Sequence, residues 1–149
     1  MSTLKVDTYL TRGGASEIAI DKLKGVTAAG SMLVVGEGGT NTTNLQQGLV
    51  KCWGNLNGST FGLRDSFNVG SVTDNGTGDY TVTFTTAMAN ANYVTVGMGG
   101  HTGADLRTLQ QQVNTNAPTT AACRYNTMYS NGNKTDASYV GCEIAGDLA

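Results

Sequence analysis

Residues 79–86 read Asp-Tyr-Thr-Val-Thr-Phe-Thr-Thr, and strict alternation of this kind fits a half-buried strand. Tyr80, Val82 and Phe84 fall on one side, with Thr81, Thr83 and Thr85 on the other. Asn75-Gly76 stands just before this run, and Asn57-Gly58 and Asn131-Gly132 repeat the dipeptide. Such pairs accept the positive φ that tight hairpin turns demand, and Gly99-Gly100 permits a further reversal. Between these turns, strands are expected at 50–56, 60–64, 66–73, 79–86, 92–98, 106–114, 121–129 and 138–144. That spacing predicts an all-β fold, an antiparallel β-sandwich or jelly-roll-like domain. For 104–113 a short helix through Leu106, Leu109 and Val113 stays open as the alternative. Thr (22), Gly (21) and Asn (13) dominate the 149 residues while charged residues make up 13%, a palette for strands and tight turns rather than helix surfaces. Pro118 falls in a polar loop, where it interrupts no ladder.

Residues 1–48 read as a separate N-terminal arm ahead of a head domain at 49–149. Leu4 and Val6 alternate with polar neighbours, as do Ile18 and Ile20, and Met32-Leu33-Val34-Val35 is a short apolar strand. These runs are too short to close a core of their own, so Leu4, Val6, Ile18, Ile20, Leu33, Val35 and Leu45 are expected to be covered by other elements or other copies. The stretch 41–48 predicts one helical turn, with Thr43 or Asn44 as its cap and Gly48 as its stop.

A net charge of −2 with nine scattered basic residues offers no footing for nucleic acid. No apolar run approaches the roughly 20 residues of a membrane span, and the polar start lacks the apolar core of a secretory signal. Synthesis in a cytoplasm is therefore expected. Cys52, Cys123 and Cys142 are odd in number and widely spaced, which favours buried free thiols; a Cys123–Cys142 bridge is the alternative.

No motif in the chain carries recognisable catalysis, and no cofactor or metal site is assigned. His101, in Gly-Gly-His-Thr-Gly-Ala-Asp105, suggests a dyad with Asp105 and a nearby Ser or Cys, but no nucleophile elbow accompanies it. A loop histidine at a strand end, or one of several copies near a symmetry axis holding a metal or anion, are the other readings. The segment Asp74-Asn-Gly-Thr-Gly-Asp79 has the oxygen-rich look of a calcium loop without its alternating acids and terminal Glu, and sits where a hairpin must turn. Trp53 lies in a patterned strand and reads as core. The stretch 124–134 places Arg124, Tyr125, Asn126, Tyr129, Asn131 and Lys134 around an expected loop tip, an aromatic and amide mixture suited to polyol recognition.

The run from Leu49 to Val96 resembles a segment of small fibre, appendage and other virion structural proteins of tailed bacteriophages. The likeness rests on the Lys51–Trp53 strand, the Asn55-Leu-Asn-Gly58 turn, the Arg64-Asp-Ser-Phe-Asn68 step and the block from Val72 to Met88. It implies a non-enzymatic homotrimer at the virion surface, joined to other virion proteins through its arm. The expected role is a short tail-fibre or appendage tip binding a host-surface polysaccharide through His101, Asp105 and the 124–134 cluster. A capsid decoration or cement protein is the alternative, and a self-assembling extracellular β filament the third.

Overall fold

The computed structural model describes residues 22–23, 32–103 and 106–149. In chain order the elements are β1 (Leu33–Val35), β2 (Thr42–Asn44), the single turn α1 (Leu45–Gly48), β3 (Cys52–Asn57), β4 (Gly62–Phe67), β5 (Val69–Asp74), β6 (Asp79–Phe84), β7 (Val94–Gly100), β8 (Thr108–Gln111), β9 (Ala122–Met128) and β10 (Tyr139–Ala145). All pairings are antiparallel. A β1–β2 hairpin stands apart from two four-stranded sheets, ordered β4-β3-β10-β7 and β5-β6-β9-β8.

The two larger sheets pack in a sandwich-like arrangement because each presents one apolar side. From the first, Cys52, Leu56, Val140, Cys142 and Ile144 point inward; from the second, Tyr80, Val82, Phe84, Cys123 and Tyr125 meet them. Phe84 and Tyr93 pack edge to face with centroids 5.7 Å apart, a favoured aromatic geometry. The strand at 108–111 resolves the helix alternative for 104–113 in favour of β structure. Its Leu109 packs against both core clusters, a placement that tertiary contact imposes over local helical spacing.

Several expectations need correction. Trp53 is not core: β3 buries Cys52, Gly54 and Leu56, so Trp53 faces outward at 36% exposure. Gly99 and Gly100 close β7 rather than forming a reversal. Gly58 does not take positive φ; it is required because a Cβ there would collide with the Tyr80 hydroxyl and the Ala137 carbonyl. The helical turn forms as the sequence implies, the Asn44 side chain accepting from Gln47 N at 3.0 Å. Of the arm residues, Leu33 and Val35 lie in β1 and Leu45 opens α1, while Leu4, Val6, Ile18 and Ile20 lie outside the described residues.

Asn68 makes the corner between the sheets. It alone separates β4 from β5, and it holds φ at 58°, a conformation that Asn tolerates better than most residues. Its side chain donates to the Lys51 and Thr86 carbonyls at 3.0 and 3.1 Å and accepts from Thr86 N at 2.7 Å. Asn68→Ala is expected to cost about 2 kcal/mol through lost hydrogen bonds and strain. Asn68→Gly relieves only the strain, so urea unfolding should place it between wild type and Ala. Equal stability of all three would remove the corner's role.

Candidate functional site

The 124–134 segment is strand through Met128, and alternation divides those residues between two sides. Arg124 and Asn126 face out from β9, whereas Tyr125 is 2% exposed in the core. Tyr125 therefore corrects the expected loop: a side chain between two outward neighbours on a strand must point inward. The loop tip is shorter than expected, spanning 129–133. Tyr129 lies under the Arg107 guanidinium, 4.0 Å from its ring centroid, and the Asn131 side chain accepts from Asn133 N at 3.0 Å.

Arg124, Asn126 and Lys134 do come together, around Asp79. The Arg124 Nε lies 2.5 Å from Asp79 Oδ1, and the Lys134 ammonium pairs with Oδ2. Gln112 Nε2 donates to both Asp79 oxygens at 3.2 Å and to Asn126 Oδ1 at 2.7 Å. Burial by itself would raise the Asp79 pKa, but the hydrogen bonds and charges of Arg124 and Lys134 hold it below the ordinary carboxylate value. The cations are occupied by this internal pairing, so the cluster braces the sheet. The sequence carries a signal for it only in hindsight: Thr81 pairs with Arg124 and Asp79 with Asn126 across β6 and β9, a register that separated motifs do not reveal.

His101 follows β7. Its Nδ1 lies 3.0 Å from Ser138 Oγ; Asp105 lies outside the described residues. Beside Ser138, the Arg64 guanidinium donates to the Ser138 carbonyl and stands 4.5 Å over the Tyr139 ring. His101 is exposed, and an open, aqueous imidazole supplies little of the preorganised environment that nucleophile activation needs. Among the described residues no group of three His, Cys, Asp or Glu side chains could hold a metal ion.

The three cysteines are free and buried. Burial, with the neighbouring Cys142, pushes Cys52 up to about 12; burial raises Cys123 to about 12 and Cys142 to about 11. Because the thiolate is the reactive form, a thiol reagent at pH 8 should modify none of the three within minutes in the native protein and all three in guanidinium. A fast native thiol would contradict this packing.

The most distinctive surface is the outer side of the first sheet. Phe67 sits opposite Trp53, Trp53 opposite Glu143 and Glu143 opposite Val96, in one row across the four strands. Val94, Val96 and Met98 are 65, 60 and 65% exposed. A shallow depression of about 450 Å³ opens here between Trp53, Val96, Met98 and Glu143, with Gly141 among its lining. The outer side of the second sheet is polar by contrast, pairing Thr73 with Thr81 and Arg124, and Asp79 with Asn126 and Gln110. A second hollow, about 550 Å³, lies where α1 meets the sandwich, bordered by Leu49, Lys51, Phe67 and Leu148. Gln47 closes it with a 2.6 Å hydrogen bond to Asp147.

Sequence reasoning missed this face because it read Trp53 as core and gave the strand at 92–98 no inner or outer side. In β7 Thr95, Gly97 and Gly99 face inward, since Leu109 and the Gly141 carbonyl approach too closely for a larger group at Gly97. The small residues at alternate positions were the available signal. Compared with protein-family models, curated proteins and solved structures, the chain matches nothing.

Proposed function

We propose that this chain is a structural component of a tailed-phage particle, assembling as a homotrimer into a short fibre or appendage tip. The observation that carries the reading is the contrast between the two outer sheet faces. One presents Phe67, Trp53, Val94, Val96 and Met98 around Glu143; the other is threaded with Thr, Arg, Asn and Gln. Such an exposed apolar face on a domain of this size marks a surface to be packed. The resemblance of residues 49–96 to virion proteins supplies the context, and the β1–β2 hairpin supplies an arm for attachment.

The residues left for a host-surface polymer are His101, Tyr129 and Asn131, because Tyr125 is core and Arg124 and Lys134 are engaged by Asp79. Three weak sites on one head would gain through effective concentration. The double variant Tyr129→Ala/Asn131→Ala should lose most cell binding while still unfolding cooperatively, its melt lowered by the lost Arg107–ring contact and turn hydrogen bond; unchanged binding would remove this loop from recognition.

A flat apolar face also suits contact with a capsid shell, which favours a decoration protein as the second reading. Gold-labelled antibody on intact particles separates them. Labelled tail tips support the appendage, labelled heads the decoration role, and unlabelled particles overturn both.

A further inference from the structure

The hollow beside α1 contains a buried cation with no acid against it. Lys51, the residue before β3, is 7% exposed. Its backbone is held from both sides, the amide donating to the Ile144 carbonyl at 2.9 Å and the carbonyl accepting from Asn68 Nδ2 at 3.0 Å. The ammonium donates to the Gln46 and Leu49 carbonyls, which uses two of its three protons. Among the described residues no carboxylate lies within ion-pair reach of it and no third acceptor meets it. Carbonyls carry only partial charge, so a full positive charge stands without a counter-ion where bulk water hardly reaches. Charges buried to this degree are ordinarily paired.

The walls around this ammonium are largely apolar. Leu49, Val50, Phe67, Ala89 and Leu148 line the hollow with Lys51, and its volume of about 550 Å³ falls within the roughly 300–1,000 Å³ of small-molecule sites. Apolar walls and one fixed charge select a ligand with an apolar body and a single anionic end. Dianions of the phosphate type call for several cations or amide donors, which an aliphatic wall does not supply.

We infer that the hollow binds an apolar monocarboxylate. Its carboxylate takes the third proton of the Lys51 ammonium in a charge-assisted hydrogen bond, and its hydrocarbon body lies against Leu49, Phe67 and Leu148. The site is independent of the virion reading. Asp147 also lines the hollow, and its carboxylate accepts from Gln47 Nε2 at 2.6 Å. A bound anion is thereby oriented, toward Lys51 and away from Asp147.

Sodium octanoate and 1-octanol, matched in chain length, are the probes, titrated into the full chain by calorimetry. Octanoate should bind saturably, one per chain, and about 10-fold more tightly than octanol, the ratio expected of one hydrogen bond to a charged group. Octanol binding as tightly as octanoate would mean an apolar hollow only, and the absence of saturable octanoate binding at millimolar concentration would mean no site. Either result overturns the inference.

Two variants place the charge. Asp147→Asn keeps an acceptor for Gln47 and removes the competing acid, so octanoate should bind about 2–3-fold more tightly with octanol unchanged. Equal gains for both probes, or a weaker octanoate complex, overturn the placement of the carboxylate. Lys51→Met should reduce octanoate to the affinity of octanol. Because this change also unties α1, octanol binding to the same variant reports whether the hollow persists. Octanoate held at its wild-type affinity by Lys51→Met overturns the role of the ammonium.

Discussion

Gly78→Ala is expected to destabilise the protein by about 3–5 kcal/mol, combining overpacking with backbone strain. Gly78 holds φ at 61°, and a Cβ there would lie 2.5 Å from the Thr127 carbonyl oxygen and 2.6 and 2.7 Å from Thr135 O and N. Those are backbone atoms in a seam that has little freedom to move. Gly78 O accepts from Thr127 N at 2.9 Å, Gly78 N donates to Asp136 Oδ1 at 2.7 Å, and the same oxygen accepts from the Tyr80 hydroxyl at 2.9 Å. A methyl group would have to break one side of this arrangement. Gly132→Ala is the comparison, since Gly132 has φ 84° with nothing within 4 Å of a Cβ, so it should cost only about 1 kcal/mol of strain. Thermal melts of the two variants separate close approach from conformation. If they lose the same stability, the steric argument at Gly78 fails.

Asp79→Ala is expected to cost about 2–3 kcal/mol at pH 7. Arg124, Lys134 and Gln112 all aim at this carboxylate, and removing it leaves them without their acceptor. Breaking a fully buried pair would cost more, but Lys134 keeps 44% of its side chain exposed, so water recovers part of the loss. The pH dependence follows from the direction of the shift. A carboxylate whose folded pKa lies below its unfolded value of about 3.9 contributes stability above that value and loses it as pH falls through the folded pKa. The stability gap between wild type and Asp79→Asn should therefore be widest near neutrality and narrow below about pH 4. Denaturant melts at pH 7 and pH 3 measure it. A gap that stays constant between them would mean that charge plays no part.

These two positions close the segment that, in sequence, has the look of a calcium loop. In the structure, Gly76 and Gly78 shape a turn with Asn75 N bonded to Asp79 O at 2.8 Å, while the Asp79 side chain faces protein cations. Its acids serve the turn and the sheet, as the hairpin reading of the segment implies.

How much was legible varied with the kind of strand. In β6, Tyr80, Val82 and Phe84 alternate with threonines and are buried as the pattern requires. In β9 the same rule, applied residue by residue, would have sent Tyr125 inward; grouping 124–134 by chemistry as a loop concealed it. In β7 the rule inverts, because Val94, Val96 and Met98 face out while Thr95, Gly97 and Gly99 face in, and in β3 Trp53 stands on the side that also bears Asn55. An apolar side chain on the outer side of such strands follows the pattern of a covered face.

The sequence by itself determined the all-β character and most of the strands and turns, though the strand expected at 66–73 breaks at Asn68 into the end of β4 and β5. These follow from local alternation and from residues able to turn the chain, and both are properties of neighbours in the sequence. The tertiary structure decided which face of each sheet is covered, that Asn68 turns one sheet into the other, that Gly58 and Gly78 are fixed by close approach, and that Asp79 gathers Arg124 and Lys134. Each depends on contact between residues far apart in the chain. Alternation specifies two sides for a strand; only packing determines which of them meets water.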